Sequence, residues 1–140
     1  MAGGNDTEAA AEFLYTKLAA AAGLTGLTIY DGGAPASATL PFVSFEWYPS
    51  FGITNSATGN YVLSRPHYRI KIHAKEQPFS ALATYKKAAY DAVHQKTATT
   101  SHGQTLGAVV VDEFKEEEEQ AGVTFRRLGI EVEITVRSNP

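Results

Sequence analysis

The strongest pattern in the chain lies near its end. Within Val123–Arg137, the residues Leu128, Ile130, Val132, Ile134 and Val136 alternate with Gly129, Glu131, Glu133, Thr135 and Arg137. A period of two puts the first set on one face of a strand and the second on the other. Such a strand belongs in an antiparallel sheet with one covered side and one wet side. Tyr68, Ile70, Ile72 and Ala74 alternate in the same way with Arg69, Lys71 and His73, inside a predicted strand over Tyr61–Ala74. What covers such a sheet has to come from the rest of the chain.

Two segments carry helical spacing. Leu14, Leu18 and Ala21 recur at i, i+4 and i+7, which predicts a helix from about Thr7 to Ala22. Asn5, Asp6 and Thr7 are all good N-caps, and Gly23 fits the residue just past the end. Pro78 suits the start of a second helix, with Leu82, Tyr85, Ala89 and Val93 as its apolar stripe. Between them, Leu27–Tyr30 reads as a short strand ended by Asp31-Gly32-Gly33. Ala34–Leu40 follows as a loop and Phe42–Tyr48 as a proline-led strand. In that strand Val43, Phe45 and Trp47 share one face, and Phe42, Ser44 and Glu46 the other. Trp47 and Tyr68 are expected in the core. Thr97–Gly103 reads as a polar linker and Leu106–Lys115 as a strand.

The order is helix, three strands, helix, two strands. It has no repeating strand–helix–strand rhythm, so the expected fold class is α+β. The sheet is mostly antiparallel, of about four to five strands, with both helices on one face and extended hairpins. One domain over 1–140 is expected, with 1–6 a flexible tail and 49–64 a long loop or hairpin tip.

The last hairpin has two competing registers. A two-residue turn at Ala121-Gly122 sets Glu117 against Arg126 and Glu116 against Arg127, but also Asp112 against Glu131. Moving one residue sets Phe114 against Leu128 and Val110 against Val132, but Lys115 against Arg127. Neither satisfies every pair, so a bulge near Arg126-Arg127 is expected. The acidic tip is either a solvated guard against edge aggregation or an arm aimed at a neighbouring subunit.

Composition narrows the function classes. A 44% hydrophobic and 19% charged chain is that of a globular protein. The absence of cysteine removes disulfides and thiolate metal sites. A net charge of −3 disfavours specific nucleic-acid binding. No apolar run approaches the roughly 20 residues of a membrane span, and MAGGNDTEAA lacks the pattern of a signal peptide.

Chemistry-bearing constellations are sparse. His67 and His73 share a strand face but lack a carboxylate at ligand spacing, and His94 reads as helix surface. Ser44, His73 and Asp91 contain the residue types of a nucleophilic triad, without a G-x-S-x-G turn to activate the serine. Gly32-Gly33 and GQTLG at Gly103–Gly107 read as turns, not phosphate loops. Glu116–Glu119 alternate between faces and do not converge on a cation. No catalysis, cofactor or metal is expected. Aromatic and apolar residues near turns stand out instead, and the candidate protein-interface residues are Phe51, Ile53, Tyr61, Phe125, Arg126 and Arg127.

Three segments carry a resemblance: LTIYDGGAPASATLPFVSFEW, HYRIKIHAKEQPFSALATYKKAAYDAV and DEFKEEEEQAGVTFRRLGIEVEIT. Together they resemble the tail terminator (tail completion) proteins of long-tailed bacteriophages, over about Thr7 to Val136. The resemblance implies a virion protein without catalytic activity, forming a ring, usually a hexamer. Such a ring caps the tail tube and joins it to the head connector or head-closure protein. It implies residence in the neck region of the virion after assembly in the bacterial cytoplasm. A DNA-repelling lumen would draw on Glu116, Glu117, Glu118, Glu119, Glu131 and Glu133. The alternatives are another neck or head-closure protein and, from a different class, a small α+β ligand-binding or lyase domain with a polar cleft.

One prediction follows from the sequence. Phe51→Asp is expected to weaken assembly, seen by sedimentation, while circular dichroism of the folded subunit stays unchanged. Loss of the folded subunit would make Phe51 a core residue.

Overall fold

The computed structural model describes residues 6–48, 56–58 and 61–138. Helix α1 (Asp6–Ala19) buries Ala9, Ala10, Phe13, Leu14 and Leu18, one stripe at helical spacing. It ends three residues short of the expected Ala22. There Ala22–Leu24 tightens into a 3₁₀ turn, and the Thr25 hydroxyl donates to the Ala22 carbonyl at 2.7 Å. Gly23 lies inside this turn instead of after the helix. A Cβ at Gly23 would sit 2.6 Å from Ala88 Cβ, so glycine allows the close approach of the second helix.

That helix, α2 (Phe79–Val93), follows the extended Pro78 and buries Leu82, Ala89 and Val93 as the spacing predicts. Both helices pack on the face of the sheet that carries Tyr68, Ile70, Ile72, Leu128, Ile130, Val132 and Ile134.

Among the described residues the sheet has eight strands: β1 (Ile29–Asp31), β2 (Phe42–Trp47), β3 (Ser56–Thr58), β4 (Tyr61–Ser64), β5 (His67–Lys75), β6 (Ala98–Thr100), β7 (Gly103–Gln120) and β8 (Val123–Ser138). This exceeds the four to five expected. The predicted strand over Tyr61–Ala74 is broken at Arg65-Pro66, where proline has no amide for the ladder and its carbonyl accepts from Ile134 N at 3.0 Å. The expected linker Thr97–Gly103 contains β6, which pairs with the first residues of β7. The sheet is also mixed, because β1 runs parallel to β2. The intervening loop carries the chain back before β2 begins, so the two strands do not form a hairpin.

β8 organises the rest. A strand has two edges, and β7 occupies one along Val123–Ser138. β5 lies against Phe125–Glu133 and β4 against Val136–Ser138, so these two sit end to end on the other edge.

Ala121 (φ 51°) and Gly122 (φ 80°) make the two-residue turn of the first register. Glu117 faces Arg126, Glu116 faces Arg127, and Asp112 faces Glu131. The register then shifts twice on β7, with Val111 and Leu106 as extra residues, so that Val110 faces Val132 and Ala108 faces Ile134. The bulge is therefore at Val111 and not near Arg126-Arg127. A bulge in β8 would also have disturbed its ladder with β5. An extra residue in β7 realigns the hairpin and leaves β8 regular.

Tyr68 is in the core at 3% exposed, but its cross-strand partner Trp47 is 50% exposed. β1 ends at Asp31, opposite Phe45, so the end of β2 runs on without an outer neighbour among the described residues. The core prediction is direct. Phe13→Ala is expected to lower unfolding free energy by about 3–5 kcal/mol, whereas Val109→Ala, on an exposed side chain, should change it by less than about 0.5 kcal/mol. Urea denaturation measures both.

Candidate interaction face

The side of the sheet away from the helices is built by odd-numbered residues of β5 and β8 and their cross-strand partners. Its centre is a stacked column. Arg69 lies over the Tyr48 ring at 3.8 Å and over the Phe114 ring at 4.8 Å from the opposite strand. Phe114 lies flat because its partner across the ladder is Gly129. A Cβ there would collide with the Phe114 ring and stand 2.7 Å from the Ile70 carbonyl oxygen. In the sequence Gly129 is one more position of the polar face. A glycine inside an otherwise regular alternation was the available signal.

Charges fill the rest of this face in pairs. His67 Nδ1 meets Glu131 and its Nε2 meets Glu133, each at 3.0 Å. Arg69 Nε approaches Glu131 at 3.6 Å, beyond hydrogen-bond reach. Lys71 Nζ bridges Glu46 at 3.2 Å and Glu116 at 3.4 Å. Arg127 binds Glu118 at 3.1 Å, the diagonal neighbour, and not Glu116 directly opposite. On the helix side of the hairpin, Arg126 binds Glu117 at 2.7 Å and donates to the Gln77 carbonyl at 2.9 Å.

The structure thus divides the residues singled out in the sequence. Glu116, Glu118, Glu131 and Glu133 share the open face, while Glu117 and Glu119 share the helix side. Arg126 and Arg127 likewise belong to opposite sides of the ladder, yet both line a hollow at Phe125. Phe125, half-buried, shares with Phe42, His73 and Arg127 an open hollow of about 230 Å³ beneath the loop residues Pro35 and Ala38. Phe51 and Ile53 lie outside the described residues. The backbone of Tyr61 is in β4, and its side chain lies outside the described residues.

Ser44 and His73, paired only on paper in the sequence, meet: Ser44 Oγ is 2.8 Å from His73 Nε2. Asp91 does not join them. It sits on α2, across the sheet, bound to Lys87 at 2.9 Å. His73 stacks on Phe42 at 4.4 Å. Burial first, then the charges of Arg127 and Lys71, push its imidazole down to about 4. The pair therefore holds a neutral ring in place and lacks the acid that would orient a general base.

His94 is not simply helix surface. Its Nδ1 accepts the Val110 amide at 3.2 Å and its ring stacks on Tyr90. His102 binds Glu12 at 2.8 Å and ties the β6–β7 turn to α1. A second open hollow of about 470 Å³ lies between the end of α1 and α2, lined mainly by alanines with Lys17, Lys87 and Asp91. Among the described residues no three potential ligands converge on a metal position, and no helix is long and apolar enough to cross a membrane.

Comparison with known proteins gives a likeness of fold. No family model and no curated protein matches the chain. A solved chain of a "Virion of native gene transfer agent (GTA) particle" is similar, with a TM-score of 0.75 and 19% sequence identity. The match covers 94% of this chain and 96% of that one. The two share an architecture along nearly their whole lengths.

The His73 environment predicts a pH dependence. Its folded pKa lies below the unfolded value near 6.5, so its contribution is fully present above that pH and is lost as pH falls toward about 4. Between those limits the wild type is expected to lose roughly 1–2 kcal/mol more than His73→Gln, after allowance for partial exposure. Urea midpoints at several pH values measure the difference, and parallel profiles would contradict it.

Proposed function

We propose that this chain is a structural subunit of a phage-like virion: a tail terminator that forms a ring, caps the tail tube and joins it to the head connector or head-closure protein. The observation that carries this reading is the end-to-end fold likeness to a chain of a gene transfer agent virion. The sequence resemblance to tail terminators supports the finer assignment. The distribution of side chains is compatible with it, because aromatic and aliphatic residues are exposed at sheet borders and the polar residues of the open face bind one another.

In this reading the ring is a closed cyclic oligomer, a hexamer by resemblance. It is built by one patch of each subunit meeting a different patch of the next. It resides in the virion neck after assembly in the bacterial cytoplasm. Its work is mechanical. If the open face lines the lumen, the cations Lys71 and Arg127 already hold carboxylates, Arg69 is covered by the Tyr48 and Phe114 rings beside Glu131, and all three offer little to passing phosphates. Glu116, Glu118, Glu131 and Glu133 would form the acidic part of that wall.

Negative-stain imaging tests the assignment. The protein is mixed with tubes polymerised from the tail-tube protein of the same particle. A ring seated at one tube end is expected. Binding to purified connectors but never to tubes would instead make the chain a head-closure protein. Binding to neither would remove the virion-joining role.

A further inference from the structure

The row Trp47–Tyr68–Val132–Val110 crosses the sheet through β2, β5, β8 and β7. These four strands span about 14 Å from border to border. Among the described residues no strand pairs with the outer edge of either border there, although Gln95 N and His94 Nδ1 bond the β7 edge at the Ala108 carbonyl and the Val110 amide. β1 pairs with β2 only as far as Phe45, and β6 pairs with β7 only up to Thr105. Each of these borders exposes large apolar side chains. Trp47 (50%) and Tyr48 (36%) mark one, and Val109 (48%) and Val111 (49%) the other.

The borders also differ in charge. At the β7 border, Asp112 is exposed, faces Glu131 across the ladder and has no cationic partner among the described residues. At the other border the Tyr48 amide donates to the His67 carbonyl at 2.8 Å, which places Arg65, two residues earlier, at the same end of the sheet. Arg65 is exposed and makes no ion pair among the described residues. The Trp47–Tyr48 end thus offers the cation Arg65, its neighbouring Glu46 being held by Lys71, and the β7 border offers the anion Asp112.

The geometry points to a second copy of this chain as the occupant of each border: the Trp47–Tyr48 end of one subunit packs on Val109–Asp112 of the next. Opposite charge makes unlike borders attractive and like borders repulsive, which selects a heterologous, ring-closing contact over a two-fold one. The bulges at Leu106 and Val111 interrupt the edge ladder, so the contact is made by side chains and not by extending the sheet. This inference rests on the ring reading and names its subunit interface.

The chain has no cysteine and a single tryptophan, which allows two clean tests. Trp47→Cys and Val111→Cys are made separately, both at half-exposed positions, and treated with a short bis-maleimide. Covalent dimers are expected from the equimolar mixture and not from either variant alone. The double variant should give a ladder that stops at the ring's stoichiometry. Dimers from Val111→Cys alone would overturn the proposal in favour of two-fold pairing of β7. Rings visible by negative stain without mixed cross-links would overturn this interface while leaving the ring intact. Absence of rings in every preparation, tail tubes included, would remove both. In the unmodified protein, Trp47 emission should shift to shorter wavelength on ring formation, and unchanged emission would contradict the contact.

Discussion

The interaction on which the molecule depends is the pairing of β8 along both of its edges. Its apolar residues supply the helix-facing floor at Leu128, Ile130, Val132, Ile134 and Val136, all buried. Its polar residues supply the anchors of the open face. Because strand side chains alternate, a slip of one residue against either neighbour would exchange these two faces. The turn at Ala121-Gly122 fixes one end of the register, and the ladder to β5 fixes the other side. The mismatch between the two is taken up by extra residues in β7, whose other edge pairs with a strand only at Gly103–Thr105. One consequence is the unfavourable apposition of Asp112 and Glu131, where the ladder brings two carboxylates together.

The two sides of the sheet are finished differently. On one, helices exclude water from aliphatic side chains, an area-driven contribution without directional demands. On the other, Arg69 between Tyr48 and Phe114, Lys71 between Glu46 and Glu116, and His67 between Glu131 and Glu133 hold long side chains in defined positions. Each exposed pair contributes little alone. Together they make a stiff polar surface with its charges internally matched. Such a surface can line a channel or meet another protein without gripping a polyanion. Apart from Tyr15 on α1, the large apolar residues left exposed among the described residues lie at the borders of the sheet, where β1 and β6 stop short.

Much of this was legible in the sequence wherever the two faces of an element meet different solvents. The alternation in β5 and β8 and the stripe of α2 report core against water, and their burial follows. The turn at Ala121-Gly122 and its Glu117–Arg126 pairing were legible because the chemistry is local. Other features depend on distant partners. The parallel pairing of β1 with β2 is decided by the path of the loop before Pro41. The strand expected over Leu106–Lys115 continues through Glu116–Glu119, because Arg126, Arg127 and Lys71 neutralise three of these carboxylates. Trp47 read as core, but no residue near it announces that its outer neighbour ends two positions earlier. The place of the bulge could not be read from the hairpin alone, since the strand that must remain regular is chosen by β5. The interface residues Phe51 and Ile53 remain expectations from their apolar character within a turn-rich segment.

Hydrogen–deuterium exchange, compared between the dilute subunit and the assembled particle, tests the central claim most directly. The account predicts that β8 is the slowest-exchanging segment in both states. New protection on assembly should appear at the β7 border around Leu106–Asp112 and at the end of β2. Fast exchange in β8, or new protection confined to the outer surfaces of α1 and α2, would contradict it.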